Sequence, residues 1–100
     1  MKYLKKFKQN NEPQVGDYIL CDIKDSNDKL AKFTQNNIGQ IEEIYYSYTT
    51  IYKAKYKNVP PNLTFYGIKN LIGLQQHHIK YYSNDKEYLK IILNSKKYNL

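Results

Sequence analysis

Between positions 46 and 57 the chain sets aromatic rings beside cations. Tyr46, Tyr48 and Tyr52 lead directly into Lys53, Lys55 and Lys57. A ring gives a nucleobase a face to stack on, and an ammonium meets the phosphate that the base carries. Single-stranded nucleic acid and nucleotides need both. These six residues are the candidate ligand-binding set. The same tyrosines also suit two other roles. They can fill a core with the ring buried and the hydroxyl wet, or anchor a protein partner, where Tyr is enriched.

Residue types that support catalysis or metal binding are sparse. A metal site needs converging His, Cys or carboxylate ligands. Cys21 is the single cysteine, and His77 and His78 are adjacent, so on a strand they face opposite ways. A nucleophile needs a base within reach, and no spacing pairs Cys21 with either histidine. Cys21 lies among aliphatic residues and reads as a buried structural thiol. Glu42 and Glu43 are a carboxylate pair, but they fall where a strand is expected to bulge toward solvent. The four glycines are scattered, so no phosphate-cradling loop is present. We expect no catalytic residue, no metal and no cofactor: a binding protein and not an enzyme.

The elements that position the lysine–tyrosine set are a hairpin and its neighbours. Pro13-Gln14-Val15-Gly16-Asp17 is a turn: Pro fixes φ, Gly allows the bend, and Asp bonds back to nearby amides. Tyr18 to Ile23 follows as a strand, with Ile19, Cys21 and Ile23 toward the core and Tyr18, Leu20 and Asp22 away from it. Lys24 to Asn36 reads as a long polar loop in which Leu30, Ala31 and Phe33 pin a helical turn. Asn37 to Tyr46 is the first arm of the hairpin, with Asn37 and Gly39 suited to positive φ at strand entry. Ile41 and Ile44 are three apart, so burying both requires a bulge at Glu42-Glu43. Tyr45 to Thr50 forms the turn. Ile51 to Lys57 alternates: Tyr52, Ala54 and Tyr56 on the core face, Ile51, Lys53, Lys55 and Lys57 on the other.

Asn58 to Asn62 ends that strand, because proline cannot donate to a ladder. A helical turn fits Asn62 to Tyr66, while Gly67 to Gln76 has no secure assignment. His77 to Tyr82 reads as a further strand, with Ile79 and Tyr81 sharing a face. Ser83 to Ser95 is the clear helix. Asn84 and Glu87 form its capping box. Asp85 at its start and Lys96 and Lys97 at its end complement the dipole, and Tyr88, Leu89, Ile92 and Leu93 form its apolar stripe.

One hundred residues fit one domain with one modest core. Twelve tyrosines and abundant isoleucine lean the composition toward strands. The formal charge of +7 favours an anionic partner. All sixteen basic residues are Lys, however, and Lys, Asn, Ile and Tyr share AT-rich codons, so part of the charge reflects nucleotide composition. With no Arg, bidentate reading of base edges is disfavoured. The lone cysteine points to an intracellular setting. The basic start (Lys2, Lys5, Lys6, Lys8) lacks the apolar stretch of a secretory signal, and no apolar run reaches the length of a membrane span. That start either docks Tyr3 or Phe7 on the body or forms a basic arm.

Three segments in order resemble a small SH3-like barrel of the KOW and Tudor kind: Val15-Gly16-Asp17-Tyr18-Ile19-Leu20-Cys21, Ile38-Gly39-Gln40-Ile41-Glu42-Glu43-Ile44 and Tyr52-Lys53-Ala54-Lys55-Tyr56. The chain is also similar to small proteins of AT-rich phages and large DNA viruses, with a basic start, this Gly-Asp-Tyr turn and a closing Lys-Glu helix. The loop from Lys24 to Asn37 is longer than in KOW domains and lacks their glycine cluster. The resemblance implies a mainly β (α+β) fold: a basic N-terminal arm (1–12), an SH3-like barrel (13–82), and a C-terminal helix packed on it with a tail (83–100). It implies a non-enzymatic viral or phage binding module in the host cytoplasm. The ligand is anionic, most simply nucleic acid, held on the hairpin's Lys/Tyr surface. Two alternatives stand beside it. One is an inhibitor that blocks a host-defence protein, in the manner of an anti-CRISPR, or sequesters a signalling nucleotide. The other is a structural or oligomeric part of a virion.

Overall fold

The turn before the first strand forms as its residue types dictate. In this computed structural model, which describes residues 12–22 and 29–98, Gly16 takes φ +95°. The Asp17 amide donates to the Gln14 carbonyl at 3.0 Å, and the Gln14 amide donates to Asp17 Oδ2 at 2.9 Å. Gly16 and Ile41 then exchange the chain's direction for pairing: the Gly16 amide reaches the Ile41 carbonyl and the Ile41 amide reaches the Asp17 carbonyl. Residues 1–11 of the expected basic arm, Ile23, loop residues 24–28 and the Lys96 and Lys97 side chains lie outside the described residues.

Five strands make one antiparallel sheet: β1 (Tyr18–Cys21), β2 (Gly39–Tyr45), β3 (Ile51–Lys55), β4 (Leu71–Leu74) and β5 (Ile79–Ser83), in the order β4-β3-β2-β1-β5. Two helices join them, α1 (Lys29–Gln35) and α2 (Lys86–Tyr98). The expected closed barrel is replaced by this open sheet. β4 runs straight into a one-turn 3-10 helix, Gln76–His78, which carries the chain to the far edge beside β1. Among the described residues no ladder joins β4 to β5, and both are edges.

The core lies on one face. Ile19, Cys21, Ile41, Tyr52, Ala54, Tyr56, Ile72 and Leu74 are buried there, and Ala31 of α1 packs among them. The bulge falls where the Ile41/Ile44 spacing requires it. Ile41 pairs with Ala54 and Glu43 with Lys53, so Glu42 is the extra residue and Ile44 returns to the core side. A second bulge, at Lys80 of β5, was not anticipated. Cys21 pairs with Ile79 and Leu20 with Tyr81, so Ile79 and Tyr82 share the core face and Tyr81 turns away.

The opposite face is also covered in part. α2 packs on β1 and β5, and Leu20 and Leu89 are buried between these layers. Leu20, placed toward solvent by alternation, is therefore interior, because β1 is central and covered on both sides. The expected loop around Leu30, Ala31 and Phe33 is a two-turn helix, α1, that buries Ala31 and Thr34. Its last carbonyls, which no intrahelical amide can reach, are met by side chains. Asn36 Nδ2 donates to the Lys32 carbonyl at 2.8 Å and Asn37 Nδ2 to the Phe33 carbonyl at 2.7 Å.

Neither Asn37 nor Gly39 has positive φ; that role falls to Asn58, Tyr66 and Asn70. Gly39 is needed for space instead, since a Cβ there would lie 2.5 Å from the Tyr56 ring. Two 3-10 turns, Pro61–Leu63 and Phe65–Gly67, precede β4. His77 and His78 belong to the 3-10 turn and not to a strand, and their rings lie 4.1 Å apart. At the start of α2 the cap is Asp85, not Asn84: Asp85 Oδ1 accepts the Glu87 amide at 3.0 Å.

Candidate functional site

Antiparallel pairing lines up residues that share a face. One such row crosses the sheet on the side away from the core: Leu71, Lys55, Gln40, Tyr18 and Ser83 are successive partners. α2 covers the β1–β5 end of this face. What remains beside the helix is an open groove of about 480 Å³. Tyr18, Gln40 and Lys55 contribute from the sheet row. Lys86, Lys90 and Leu93 contribute from one face of α2, at the i, i+4, i+7 spacing that shares a helical face. Asn36, Asn37 and Ile38 enter from the α1–β2 junction, and Lys57 and Asn70 from beyond β3 and before β4.

Among the described residues four ammonium groups thus line the groove, and no carboxylate does. Two of the four have partners outside it. Lys55 lies 3.5 Å from Glu42, and Lys90 lies 3.1 Å from Glu87. All four of those side chains are at least half exposed, so each pair contributes little and yields readily to a stronger anion. Lys86 Nζ stands 5.8 Å from the Tyr18 ring centroid. Lys57 makes no ion pair among the described residues.

The six residues singled out from the sequence do not stay together. Lys55 and Lys57 line the groove. Lys53 shares the outer face, where its Nζ is 3.2 Å from Glu43 and 5.7 Å from the ring centroids of both Tyr45 and Phe65. It fastens the Phe65 turn to the sheet, with Phe65 lying where a Cβ on Gly73 would stand. Tyr46 and Tyr48 are exposed at the hairpin tip, at the other end of β3 from the groove, roughly 20 Å along the strand. Tyr52 is 1% exposed and belongs to the core. Burial, with the charge of Glu12 and the phenols of Tyr46 and Tyr82 nearby, raises the pKa of its hydroxyl. It offers no ring face to a ligand.

No family model, curated protein or solved structure matches the chain.

The groove residues missed in the sequence are Tyr18, Asn36, Asn37, Gln40, Asn70, Lys86 and Lys90. Part of the signal was present: Lys86 and Lys90 are one helical turn apart, and Tyr18 lies opposite the core set on β1. Their meeting with Lys55 depends on where α2 docks, which no local pattern encodes. The Cys21 thiol is buried. Burial pushes the Cys21 thiol pKa up to about 12, although the Tyr56 hydroxyl 3.7 Å away opposes that shift. Among the described residues no three His, Cys, Asp or Glu side chains converge, and no helix is long and apolar enough to cross a membrane.

Proposed function

We propose that this chain is a non-enzymatic binding module, of phage or large-virus type, that holds an anionic ligand, nucleic acid, in the lysine groove beside α2. The observation that carries this reading is the convergence of Lys55, Lys57, Lys86 and Lys90 on one groove that no carboxylate lines among the described residues. Tyr18 supports it, because it sets an aromatic ring among the cations. The strand order supports the SH3-like reading, as an opened variant: four strands meander, and the fifth returns after a 3-10 turn to pair with β1. Such a scaffold hosts many binding roles, so the function rests on the groove and not on the fold.

The test is fluorescence polarisation with a labelled single-stranded oligonucleotide. Binding is expected at low salt, with a log–log salt slope of about −2.8 if all four lysines meet phosphates, since each contributes roughly 0.7 on a single strand. Lys57→Glu with Lys86→Glu is expected to abolish it while leaving the circular dichroism spectrum unchanged. Absence of binding at low salt would remove this reading. A second reading, a protein partner such as a host-defence component, is favoured by the exposed rings of Tyr45, Tyr46 and Tyr48 at the hairpin tip. It predicts that Tyr46→Ala with Tyr48→Ala abolishes capture of that partner without affecting oligonucleotide binding.

A further inference from the structure

The groove occupies only part of the sheet's outer face. Its row passes through Lys55, and Lys53 follows two residues along β3 on the same side, about 7 Å away. There the sheet carries rings. Gly73 is the partner of Lys53 on β4, and Phe65 fills the space that a side chain at Gly73 would take. The Lys53 ammonium stands 5.7 Å from the ring centroids of Phe65 and of Tyr45, the last residue of β2. Tyr66 meets Phe65 edge-on, with centroids 4.5 Å apart.

Two observations set Tyr66 apart. Its backbone is left-handed, at φ 51°, a region that suits Gly or Asn and not a bulky aromatic residue. Its side chain is 87% exposed, so little burial offsets that strain. Strain of this kind gathers at ligand sites, where the surrounding structure imposes it. Tyr45 is 54% exposed. The carboxylates of this stretch are matched: Lys53, itself largely covered, lies 3.2 Å from Glu43, and Lys55 lies 3.5 Å from Glu42. What the stretch offers a ligand is ring surface.

We infer that a single strand held in the lysine groove continues over the outer face of β3 and stacks bases on Tyr66 and Tyr45, a second subsite that holds bases by their faces. The inference rests on the binding role proposed above and extends its ligand beyond the groove. Phosphates are met in the groove, and the rings add a stacking contribution that tolerates any base, since every base has a π-face.

The experiment is polarisation with oligo(dT) of about four and about twelve nucleotides, within the span of single-strand sites, the shorter measured as a competitor. The variant is Tyr45→Thr with Tyr66→Asn. Thr suits a strand, and Asn accepts the left-handed backbone of the turn. The longer strand is expected to bind the variant at least about fivefold more weakly than the wild type, the lower end for one stacked base. Affinity for the shorter strand and the salt slope of the longer one are expected to stay unchanged. The unchanged short-strand affinity also reports that the variant is folded. An equal loss at both lengths, or a loss that comes with a shallower salt slope, would overturn this inference. No loss at either length would overturn it too, leaving the binding role intact and the rings to a protein partner. No binding of either strand to the wild type at low salt would overturn the binding role, and the second subsite with it.

Discussion

Single residues carry more of this fold than their size suggests, and Gly39 shows how. Strand entry alone could have been served by other residue types, since its φ is ordinary. The Tyr56 ring is what excludes a side chain, standing 2.5 to 2.9 Å from the position of a Cβ. That ring has little room to move: it is 3% exposed, meets Phe33 edge-on at 5.6 Å and touches the Cys21 thiol. Gly39→Ala is therefore expected to destabilise the protein by about 1–3 kcal/mol, the usual cost of overpacking, read from the urea midpoint. Tyr56→Leu in the same background should cost less than it does alone, because the two changes relieve one another. An additive pair would mean that the ring does not press on position 39.

Elements hold their places through short local devices, and one of them senses protons. In the turn from β4 to β5, the His78 amide donates to the Gln75 carbonyl at 3.0 Å, and His78 Nδ1 accepts the Gln75 amide at 3.2 Å. Burial, then the neighbouring His77, lowers the His78 pKa below 6.5. The folded state thus favours neutral imidazole, and the unfolded chain binds the proton more readily. Stability conferred by this turn is full above about pH 6.5 and is lost as pH falls through the folded value. His78→Asn keeps an acceptor without the titration, so it should flatten the fall in urea midpoint between about pH 7.5 and pH 5. An unchanged slope would assign the pH dependence to another group.

At the scale of the whole molecule, a sheet lies between two helices that cover different parts of it. α1 packs on the core side. α2 covers the β1–β5 half of the other side and leaves the lysine groove along its flank. The ion pairs made by the groove's lysines are exposed. Glu42 and Glu87 are 52% and 73% exposed in their pairs with Lys55 and Lys90. Glu42→Gln with Glu87→Gln should tighten oligonucleotide binding at low salt, and the gain should disappear at high salt as screening sets in. The unfolding midpoint should move little, since exposed pairs contribute about 0–1 kcal/mol each. A large loss of stability would show that these pairs hold α2 or β3 in place.

Patterns within a few residues were legible in the sequence. The Gly16-Asp17 turn, the bulge that returns Ile44 to the core and the Tyr52/Ala54/Tyr56 face all follow from φ preferences and the two-residue period of a strand. The apolar stripe of the C-terminal helix follows in the same way from its 3.6-residue period. The tertiary structure decided what depends on a second element. Leu20 became interior because α2 lies over β1. Tyr81 turned outward because β5 bulges at Lys80 to keep register with β1. The hairpin lysines parted company because Lys53 meets the Phe65 turn while Lys55 and Lys57 line the groove beside α2. The candidate site is made by elements far apart in the chain, from Tyr18 to Leu93. Local sequence sets which way each side chain points along its own strand or helix. Only the docking of α2 against the sheet sets which of those side chains share a groove.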